Sequence, residues 1–417
     1  MAEERQMPSA EPTDVSTFRE AYKKKTPVKA NFSQEVEVIF RDFDEKGKPI
    51  ERRRLYLPVK YQLRYGTNPH QPFMAYFPVG LPLSVGALEM LKGGKDGLSL
   101  TNLQDMSQAL GSLRYFPCPA TIAMKHLNPC GFEEGSPNEE SVADAALQKK
   151  GETQAELYEL TRKCDERSHF GSVVGFNRRV EPQTAERIMG SFVECVIAPE
   201  YAPEALEILK STEGTKKLNN GIRVVRVQNM DVVPKFIGDD VSDYLNTRNL
   251  IDGTLTFEIP YLTRIRTIDD FVLRPMIPNS DPARNGGKDY VVQTLPTTEQ
   301  LGDCLTAWYL NINVRSNGIV FVRDGRALAI GTGQQERIGA VEQAIAKAKQ
   351  KGHSLEGAVM SSDAFFPSRD CIDAVAAEGV RAVVWPAGSM ADNIVIEAAN
   401  EHNIALVATL ERCFAHF

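Results

Sequence analysis

The feature that most limits how this chain can fold is an alternation of apolar and amphipathic segments that occurs twice. Within residues 171–227, three short apolar segments typical of strands enclose two segments that begin with Pro182 and Pro203. Proline is favoured at the first position of a helix. The same rhythm returns over 357–409. Strands that alternate with helices pair in parallel and carry the helices on the sheet faces, so the sequence predicts an internally duplicated, three-layer α/β protein.

Further segments predict elements on either side of this repeat. Asp324-Gly325 separates two apolar segments and strongly favours a type I′ hairpin turn. The Pro- and Asp-containing stretch 228–290 predicts an irregular linker. The remaining predicted elements are a hairpin over 35–58, helices over 140–149, 182–189, 203–210, 298–312, 335–350, 369–378 and 391–402, and strands over 319–322, 327–330, 357–360, 383–385 and 404–408.

The chain of 417 residues is too long for one ordinary core, so we expect at least two domains or subdomains. We divide it into an N-terminal tail and hairpin over 1–58, a first subdomain over 59–230, an irregular linker over 231–295, and a second subdomain over 296–417. Within the first part, residues 1–30 are polar and charged, which predicts a loosely ordered tail.

Composition excludes several classes of protein. A net charge of −7 argues against a bulk electrostatic nucleic-acid binder, although a local basic pocket for a small anion is compatible with it. The seven cysteines form no C-x-x-C pair, so neither a disulfide framework nor a zinc site is indicated, and we predict no metal. The sequence has no apolar run of transmembrane length and no apolar signal-peptide core near Met1, which predicts a cytoplasmic protein without membrane contact.

Lys125 and His126 follow an apolar run and precede Asn128-Pro129, a pattern that predicts a strand ending at a turn. Histidine titrates near neutral pH, and an adjacent ammonium group helps to keep it neutral and basic. The pair is therefore the best candidate for proton transfer. Adjacent strand residues point to opposite faces, so both reach one site only if the backbone bends, as a turn at Asn128-Pro129 would allow. The alternative is a solvated lysine beside a histidine that hydrogen-bonds the turn.

Three other segments allow a binding or a structural interpretation. The segment 64–71 carries Arg64, whose fork suits phosphate, but it is also a plain Asn-Pro turn. Glycines over 331–333 precede a helix and could offer backbone donors to an anion, or simply form a turn with an N-cap. In 361–370, two Phe residues could bound a flat ring and Asp370 could accept hydrogens from a heterocycle, or the segment is a core Phe pair with a helix N-terminal carboxylate.

The last six residues hold Arg412 and His416 after the final predicted strand. Free tails are usually disordered. Here Phe414 and Phe417 suggest that the tail docks, which would bring Arg412 into a pocket.

Taken together and in order, these segments resemble the AICAR transformylase domain of the bifunctional enzymes that combine AICAR transformylase with IMP cyclohydrolase. The resemblance covers residues ~60–417. It rests on LRYGTNPHQ at 63–71, SLTNLQDM at 99–106, MKHLNPCG at 124–131, VIAPEY at 196–201, SNGIV at 316–320, IGTGQQERI at 330–338, SSDAFFPSRD at 361–370 and PAGSMADNIVIEAANEHNIAL at 386–406.

The resemblance implies two cytidine-deaminase-like subdomains and a homodimer with active sites shared between subunits. It implies transfer of a formyl group from the co-substrate 10-formyltetrahydrofolate to the 5-amino group of AICAR, with a structural monovalent cation compatible with the family. Lys125 and His126 match the catalytic pair. The positions that match the AICAR-binding residues are Arg64, Tyr65, Asn102, Arg412, Phe414 and His416, and those around the folate are Asn317, Arg337, Pro367 and Asp370.

The chain departs from the family pattern in two places. Only ~60 residues precede the first motif, so we expect no IMP cyclohydrolase activity and a separate cyclohydrolase protein as partner in the pathway. Segment 168–172, Ser368 and Cys371 differ from the usual residues on the folate side. The alternatives are therefore a formyltransferase with an altered donor or acceptor, and a non-catalytic homologue that binds AICAR or folate. Retention of Lys125 and His126 together with Asn317 and Asp370 speaks against a mere binder, which needs no general base.

Overall fold

The computed structural model of the chain describes residues 31–68, 70–94, 96–135, 153–211, 217–278 and 287–416. The predicted tail over 1–30 and the predicted helix over 140–149 lie outside these residues. No helix in the described part combines the length and the apolar character needed to cross a membrane.

A mixed sheet of eleven strands forms the centre of the molecule. Its strands, in spatial order, are β18 (Ala405–Ala408), β17 (Ala382–Trp385), β16 (Val359–Ser362), β14 (Ile319–Arg323), β15 (Arg326–Gly331), β6 (Asn128–Glu134), β5 (Ala120–Lys125), β7 (Ser172–Phe176), β8 (Val193–Ala198), β9 (Arg223–Arg226) and β4 (Glu89–Lys92).

The two halves of this sheet repeat one topology. In the first half, β5 pairs antiparallel with both β6 and β7, and β7, β8 and β9 run parallel. In the second half, β14 pairs antiparallel with both β15 and β16, and β16, β17 and β18 run parallel. The halves meet where β6 pairs antiparallel with β15, opposite each other at Glu133 and Arg326. The predicted repeat of strands and helices over 171–227 and 357–409 is confirmed.

Helices cover both faces of the sheet. Two of them, α1 (Leu100–Leu113) and α6 (Thr298–Asn311), each precede the hairpin of their half. The others are α2 (Gln154–Cys164), α3 (Glu166–His169), α4 (Pro182–Met189), α5 (Pro203–Lys210), α7 (Arg337–Gln350), α8 (Asp370–Ala377) and α9 (Asp392–Glu401).

The buried side chains alternate between the two faces, as the two-residue period of a strand requires. Val173 belongs to the core under α1 and α6, whereas its neighbour Val174 belongs to a second core on the opposite face. A third core lies on that opposite face in the second half, around Trp385 and Phe366. The sheet is thus buried on both sides, which explains why its strands are continuous apolar runs in the sequence.

Smaller sheets lie outside the central one. The predicted hairpin over 35–58 is confirmed as β1 (Val36–Phe43) and β2 (Pro49–Pro58), joined by β3 (Tyr76–Pro78). The segment predicted to be an irregular linker is more regular than expected, because it contains the pairs β10 (Asn246–Asn249) with β11 (Leu255–Glu258), and β12 (Met276–Ile277) with β13 (Tyr290–Val291). In the first pair Gly253 has a φ of +87°, and its N–H donates to the carbonyl of Leu250 at 3.0 Å, which closes a turn centred on Ile251 and Asp252.

Candidate active site

The turn between β5 and β6 consists of His126 and Leu127. Lys125 pairs with Asn128 across it, and the φ angles of the two turn residues are +55° and +68°. The prediction of a turn at Asn128-Pro129 is therefore wrong by two residues, because both of these lie in β6, where Pro129 falls at an irregularity in the register. Two positive φ angles match a type I′ turn, which normally uses Asn and Gly. For other residues this conformation costs about 1–3 kcal/mol each.

This turn solves the problem of how Lys125 and His126 can serve one site. Lys125 is the last residue of β5, and His126 has already left the strand, so the alternation of strand faces no longer applies to the pair. Both side chains line one cavity of about 170 Å³, together with Asn128, Thr332 and Lys347. The Nζ atom of Lys125 donates a hydrogen bond to the carbonyl oxygen of Phe170 at 2.6 Å.

Two carboxylates that the sequence did not single out lie at α1: Asp105 belongs to this helix, and Glu194 contacts it. An oxygen of Asp105 accepts a hydrogen bond from the backbone N–H of Leu127 at 2.7 Å. Burial raises the pKa of Asp105, and its hydrogen bonds with the backbone of Leu127 and His126 act in the opposite direction. Glu194, in β8, accepts a hydrogen bond from Asn102 at 3.0 Å.

Arg64, Tyr65 and Asn102 lie together at the beginning of α1. The guanidinium of Arg64 lies 4.8 Å from the centroid of the Tyr65 ring, and the carbonyl of Tyr65 accepts from Leu100. Asn102 is 4% exposed, and its side-chain oxygen accepts from the backbone and hydroxyl of Ser99 in a capping box. Asn102 therefore has a structural role in starting the helix. Its amide nitrogen also donates to Glu194, so a single N–H of that group is left for the predicted contact with AICAR.

Asn317 and Arg337, both predicted to lie near the folate, form one buried cluster. Arg337 donates to the side-chain oxygen of Asn317 at 2.6 Å and forms an ion pair with Asp363, which is fully buried. Asp363 also accepts from Ser316 at 2.6 Å. Because its guanidinium is engaged in this way, Arg337 organises the loops around it. Sequence reasoning did not identify Asp363, although a carboxylate at the end of an apolar strand was a signal for it.

Pro367 and Asp370, the other two residues predicted near the folate, lie on the surface where α8 begins. Asp370 accepts from the backbone N–H of Cys371 at 2.8 Å. Of the two Phe residues in this segment, Phe366 is in the core and Phe365 is 42% exposed. Each interpretation of the Phe pair therefore fits one residue: Phe366 is a core residue, and Phe365 is available to a flat ligand.

The C-terminal segment docks, as its Phe residues suggested, through the backbone on either side of Phe414. Cys413 donates to the carbonyl of Asp363 at 3.0 Å, and Ala415 donates to the hydroxyl of Ser316 at 3.1 Å. Arg412, Phe414 and His416 then line a cavity of about 1270 Å³. Phe417 lies outside the described residues.

Asn128 connects the turn of the first half to loops of the second half. Its amide group donates to the carbonyl of His126 at 3.0 Å. Its side-chain oxygen accepts from the hydroxyl of Thr332 at 2.7 Å and from the backbone N–H of Arg315 at 3.0 Å. The sequence marked Asn128 only as a turn residue, because the partners that give it this role lie 187 and 204 positions further along the chain.

Five of the predicted site residues line one or the other of these two cavities, and the other seven line neither. Lys125 and His126 line the smaller, and Arg412, Phe414 and His416 line the larger. Across the part of the chain that the structure describes, no three His, Cys, Asp or Glu side chains are grouped so that they could hold a metal ion.

Comparison with known proteins identifies the family to which this chain belongs. A family model described as the AICARFT/IMPCHase bienzyme matches residues 6–347, and the chain belongs to that family. Bifunctional purine biosynthesis protein PurH of Xanthomonas axonopodis pv. citri is 36% identical over 358 residues, which are 85% of this chain and 58% of that protein. PurH of Anoxybacillus flavithermus is 35% identical over 86% of this chain and 59% of its own length.

The chain therefore spans about three fifths of the length of these curated relatives. Among solved structures, a diaminohydroxyphosphoribosylaminopyrimidine deaminase/5-amino-6-(5-phosphoribosylamino)uracil reductase from Thermotoga maritima matches 24% of this chain and 32% of its own. That match has 26% identity and a TM-score of 0.19.

Proposed function

We propose that this chain transfers the formyl group of 10-formyltetrahydrofolate to the 5-amino group of AICAR in purine biosynthesis. One observation carries the proposal above the others. The left-handed turn at His126-Leu127 presents an ammonium group and an imidazole to one cavity, although the two residues are adjacent in sequence. Membership of the AICARFT/IMPCHase family supplies the substrates that such a pair would act on.

The chemistry gives each member of the pair a role. Conjugation with the neighbouring carboxamide makes the 5-amine of AICAR a weak nucleophile. His126 accepts the proton of this amine as its nitrogen forms a bond to the formyl carbon. Lys125 stabilises the negative charge that develops on the formyl oxygen, or protonates N10 as the bond between the formyl carbon and N10 breaks. The products are formyl-AICAR and tetrahydrofolate. The proton that N10 gains comes from Lys125, which then recovers a proton from the imidazolium of His126, or directly from that imidazolium where Lys125 only stabilises the oxyanion.

Binding residues are proposed on the same basis. Arg64, Tyr65, Asn102, Arg412, Phe414 and His416 serve AICAR, and Asn317, Arg337, Pro367 and Asp370 serve the folate. The half-exposed ring of Phe365 beside exposed Asp370 suits a flat heterocycle with hydrogen-bond donors at its edge. We also infer that the two halves are cytidine-deaminase-like subdomains, which their shared strand order supports.

The proposed catalytic pair and Arg412 line different cavities of one chain, which supports a homodimer with shared sites. Lys125 and His126 of one subunit would then act on a nucleotide held by Arg412 of the other. Such sharing fits a symmetric dimer, in which each subunit offers both surfaces once.

The direct test is to incubate the purified chain with AICAR and 10-formyltetrahydrofolate and to follow tetrahydrofolate formation. Turnover is expected. AICAR binding without turnover in the same preparation would contradict the proposal and favour a non-catalytic binder. Following the formyl-AICAR for ring closure to IMP in the same vessel measures whether the chain also has the second activity of its family.

Mixing two inactive variants tests the sharing of sites. His126→Ala and Arg412→Ala are unfolded and refolded together in equal amounts. If each site combines His126 of one subunit with Arg412 of the other, hybrid dimers regain one intact site, and activity returns to about a quarter of that of the wild type. Activity that stays at the level of the separate variants would place both residues in the same subunit's site.

A further inference from the structure

We propose that Asp105 is a positioning residue that holds the His126-Leu127 turn in the conformation in which His126 works. The inference rests on the proposed formyl transfer and extends it to a residue that touches neither substrate. It concerns the backbone of the turn, because Asp105 contacts N–H groups there.

The first argument is the mismatch between the turn and its residues. Both turn residues have positive φ, a conformation that Gly and Asn adopt readily and that Leu rarely adopts. Something outside the turn must therefore stabilise it. Asp105 lies on α1, accepts the N–H of Leu127 at 2.7 Å, and also interacts with the backbone N–H of His126. An ionised carboxylate is a strong acceptor for such groups.

The second argument is that the other half of the molecule contains the same device. Asp303, on α6, accepts the N–H of Asp324 at 2.9 Å and that of Gly325 at 2.7 Å. Asp324 and Gly325 are the two residues of the turn between β14 and β15, and both have positive φ.

The placement of the two carboxylates in the chain is also the same. Asp105 follows the N-cap Ser99 by six residues, as Asp303 follows the N-cap Thr297. Each precedes its turn by 21 residues. A carboxylate that binds the hairpin turn is thus a feature of the repeat. In the second half it supports a turn with favourable residues, and in the first half it supports a turn made of His and Leu.

The third argument is that Asn128 of β6 links the same turn to loops of the second half. Asn128 donates to the carbonyl of His126, while its side-chain oxygen binds Thr332 and Arg315. Asp105 of α1 therefore binds backbone N–H groups of the turn, and Asn128 of β6 binds the carbonyl of His126. The imidazole of His126 remains exposed to the cavity, as a proton acceptor requires.

The test compares Asp105→Ala and Asp105→Asn with two matched controls, Gln104→Ala on the same helix and Asp303→Ala in the equivalent position. For Asp105→Ala we expect kcat to fall at least about tenfold with little change in AICAR affinity, because misplacing a catalytic group by an ångström costs up to about a hundredfold. Asp105→Asn keeps one acceptor oxygen and should recover part of this loss. Both controls should keep the wild-type kcat per folded molecule.

Rescue separates positioning from a general structural role. Glycine adopts a φ of +68° without strain, so Leu127→Gly lowers the demand on Asp105. The loss of kcat caused by Asp105→Ala should therefore be smaller in a Leu127→Gly background than in the wild type. An equal loss in both backgrounds, or a loss no larger than that of Gln104→Ala, would overturn the proposal.

A readout without turnover keeps the proposal testable if the proposed function fails. Hydrogen exchange of the amides of His126 and Leu127 should accelerate in Asp105→Ala and stay slow in Asp303→Ala, where the amides of Asp324 and Gly325 should accelerate instead. Unchanged exchange at His126 and Leu127 in Asp105→Ala would refute the positioning role, whatever the activity of the wild type. An inactive wild type with the expected exchange pattern would refute only the proposed formyl transfer.

Discussion

The two hairpin turns of the central sheet have the same geometry and opposite relations to their sequences. Each turn has two residues with positive φ, and each is held by a carboxylate from the helix that precedes it. The second turn uses Asp324-Gly325, which the conformation favours, whereas the first uses His126-Leu127, which it does not. A turn that only connects strands follows local rules. The His126-Leu127 turn, which holds the proposed proton acceptor, departs from these rules, so its conformation relies more heavily on the contacts that support it.

Replacing the first residue of each turn by alanine should produce the largest contrast. His126→Ala is expected to lower kcat by about a hundredfold or more, the scale of a lost general base. Asp324→Ala, at the equivalent position of the second turn, should leave kcat nearly unchanged. The side chain of Asp324 is exposed and lines neither of the two cavities that hold predicted site residues. Steady-state rates with saturating AICAR and folate measure both. A wild-type rate in His126→Ala would place the base elsewhere.

The next largest effect should be a pH dependence of stability that arises from a buried histidine in the first half. His169 lies beside Phe170, whose carbonyl binds Lys125, and it is 2% exposed. Burial, with help from Arg162 and Lys125, lowers its pKa from 6.5 to about 4. Between pH 6.5 and 4 the imidazole of His169 is therefore protonated in the unfolded chain and neutral in the folded chain. As the pH falls from 6.5 to 4, the free energy of unfolding should decrease by about 3 kcal/mol through this group.

Urea unfolding of the wild type and of His169→Phe across that range measures this contribution. The variant should lose the part of the slope that belongs to His169, and the stability difference between the two proteins should narrow or reverse as the pH falls. Parallel curves would show that His169 is not the group responsible.

Removing the carboxylate of the second turn should cost stability and spare activity. Asp303→Ala leaves the N–H groups of Asp324 and Gly325 without their acceptor, and we expect a loss of about 2 kcal/mol in the free energy of unfolding. The rate per folded molecule should stay at the wild-type value. A fall in kcat as large as that of Asp105→Ala would remove the distinction between the two turns.

The smallest effect is expected from changing the glycine content of the turns. Gly325→Ala places a Cβ at a φ of +75° and should destabilise the protein by about 1 kcal/mol. Leu127→Gly should change stability less, because relief of the strained φ offsets the loss of a partly buried side chain. Urea midpoints for both variants give the comparison, and a strong destabilisation by Leu127→Gly would mean that packing of Leu127 dominates its conformation.

The sequence predicted the regular parts of this molecule and missed what depends on distant residues. The repeated strands and helices, the hairpin over 35–58 and the turn at Asp324-Gly325 were accessible because each is encoded by local periodicity or by turn residues. The turn at His126-Leu127 was placed two residues late, since neither residue favours positive φ and the supporting Asp105 lies on a helix 21 positions earlier.

For the candidate site, spacing alone pointed to Lys125 and His126 and left every other residue ambiguous. The ordered family motifs named more residues, but they did not show that Asn102 caps a helix or that Arg337 is paired with buried Asp363. The partner of Arg337 lies 26 positions away, which no single segment displays. Ser99, the partner of Asn102, lies only three positions away within 99–106, so a capping pattern in that segment was a signal for this role.

The pairing of β6 with β15 ties the two halves together at Glu133 and Arg326, whose side chains form an ion pair of 2.8 Å. Each half taken alone would contain a complete hairpin and three parallel strands. It would also expose the edge of β6 or of β15, which pair with each other in the whole protein. Exposed edges invite pairing with other chains. A protein cut within residues 231–295 would therefore give fragments that recombine through β6 and β15 or aggregate. Each half thus prevents the exposed strand of the other from pairing with a different chain.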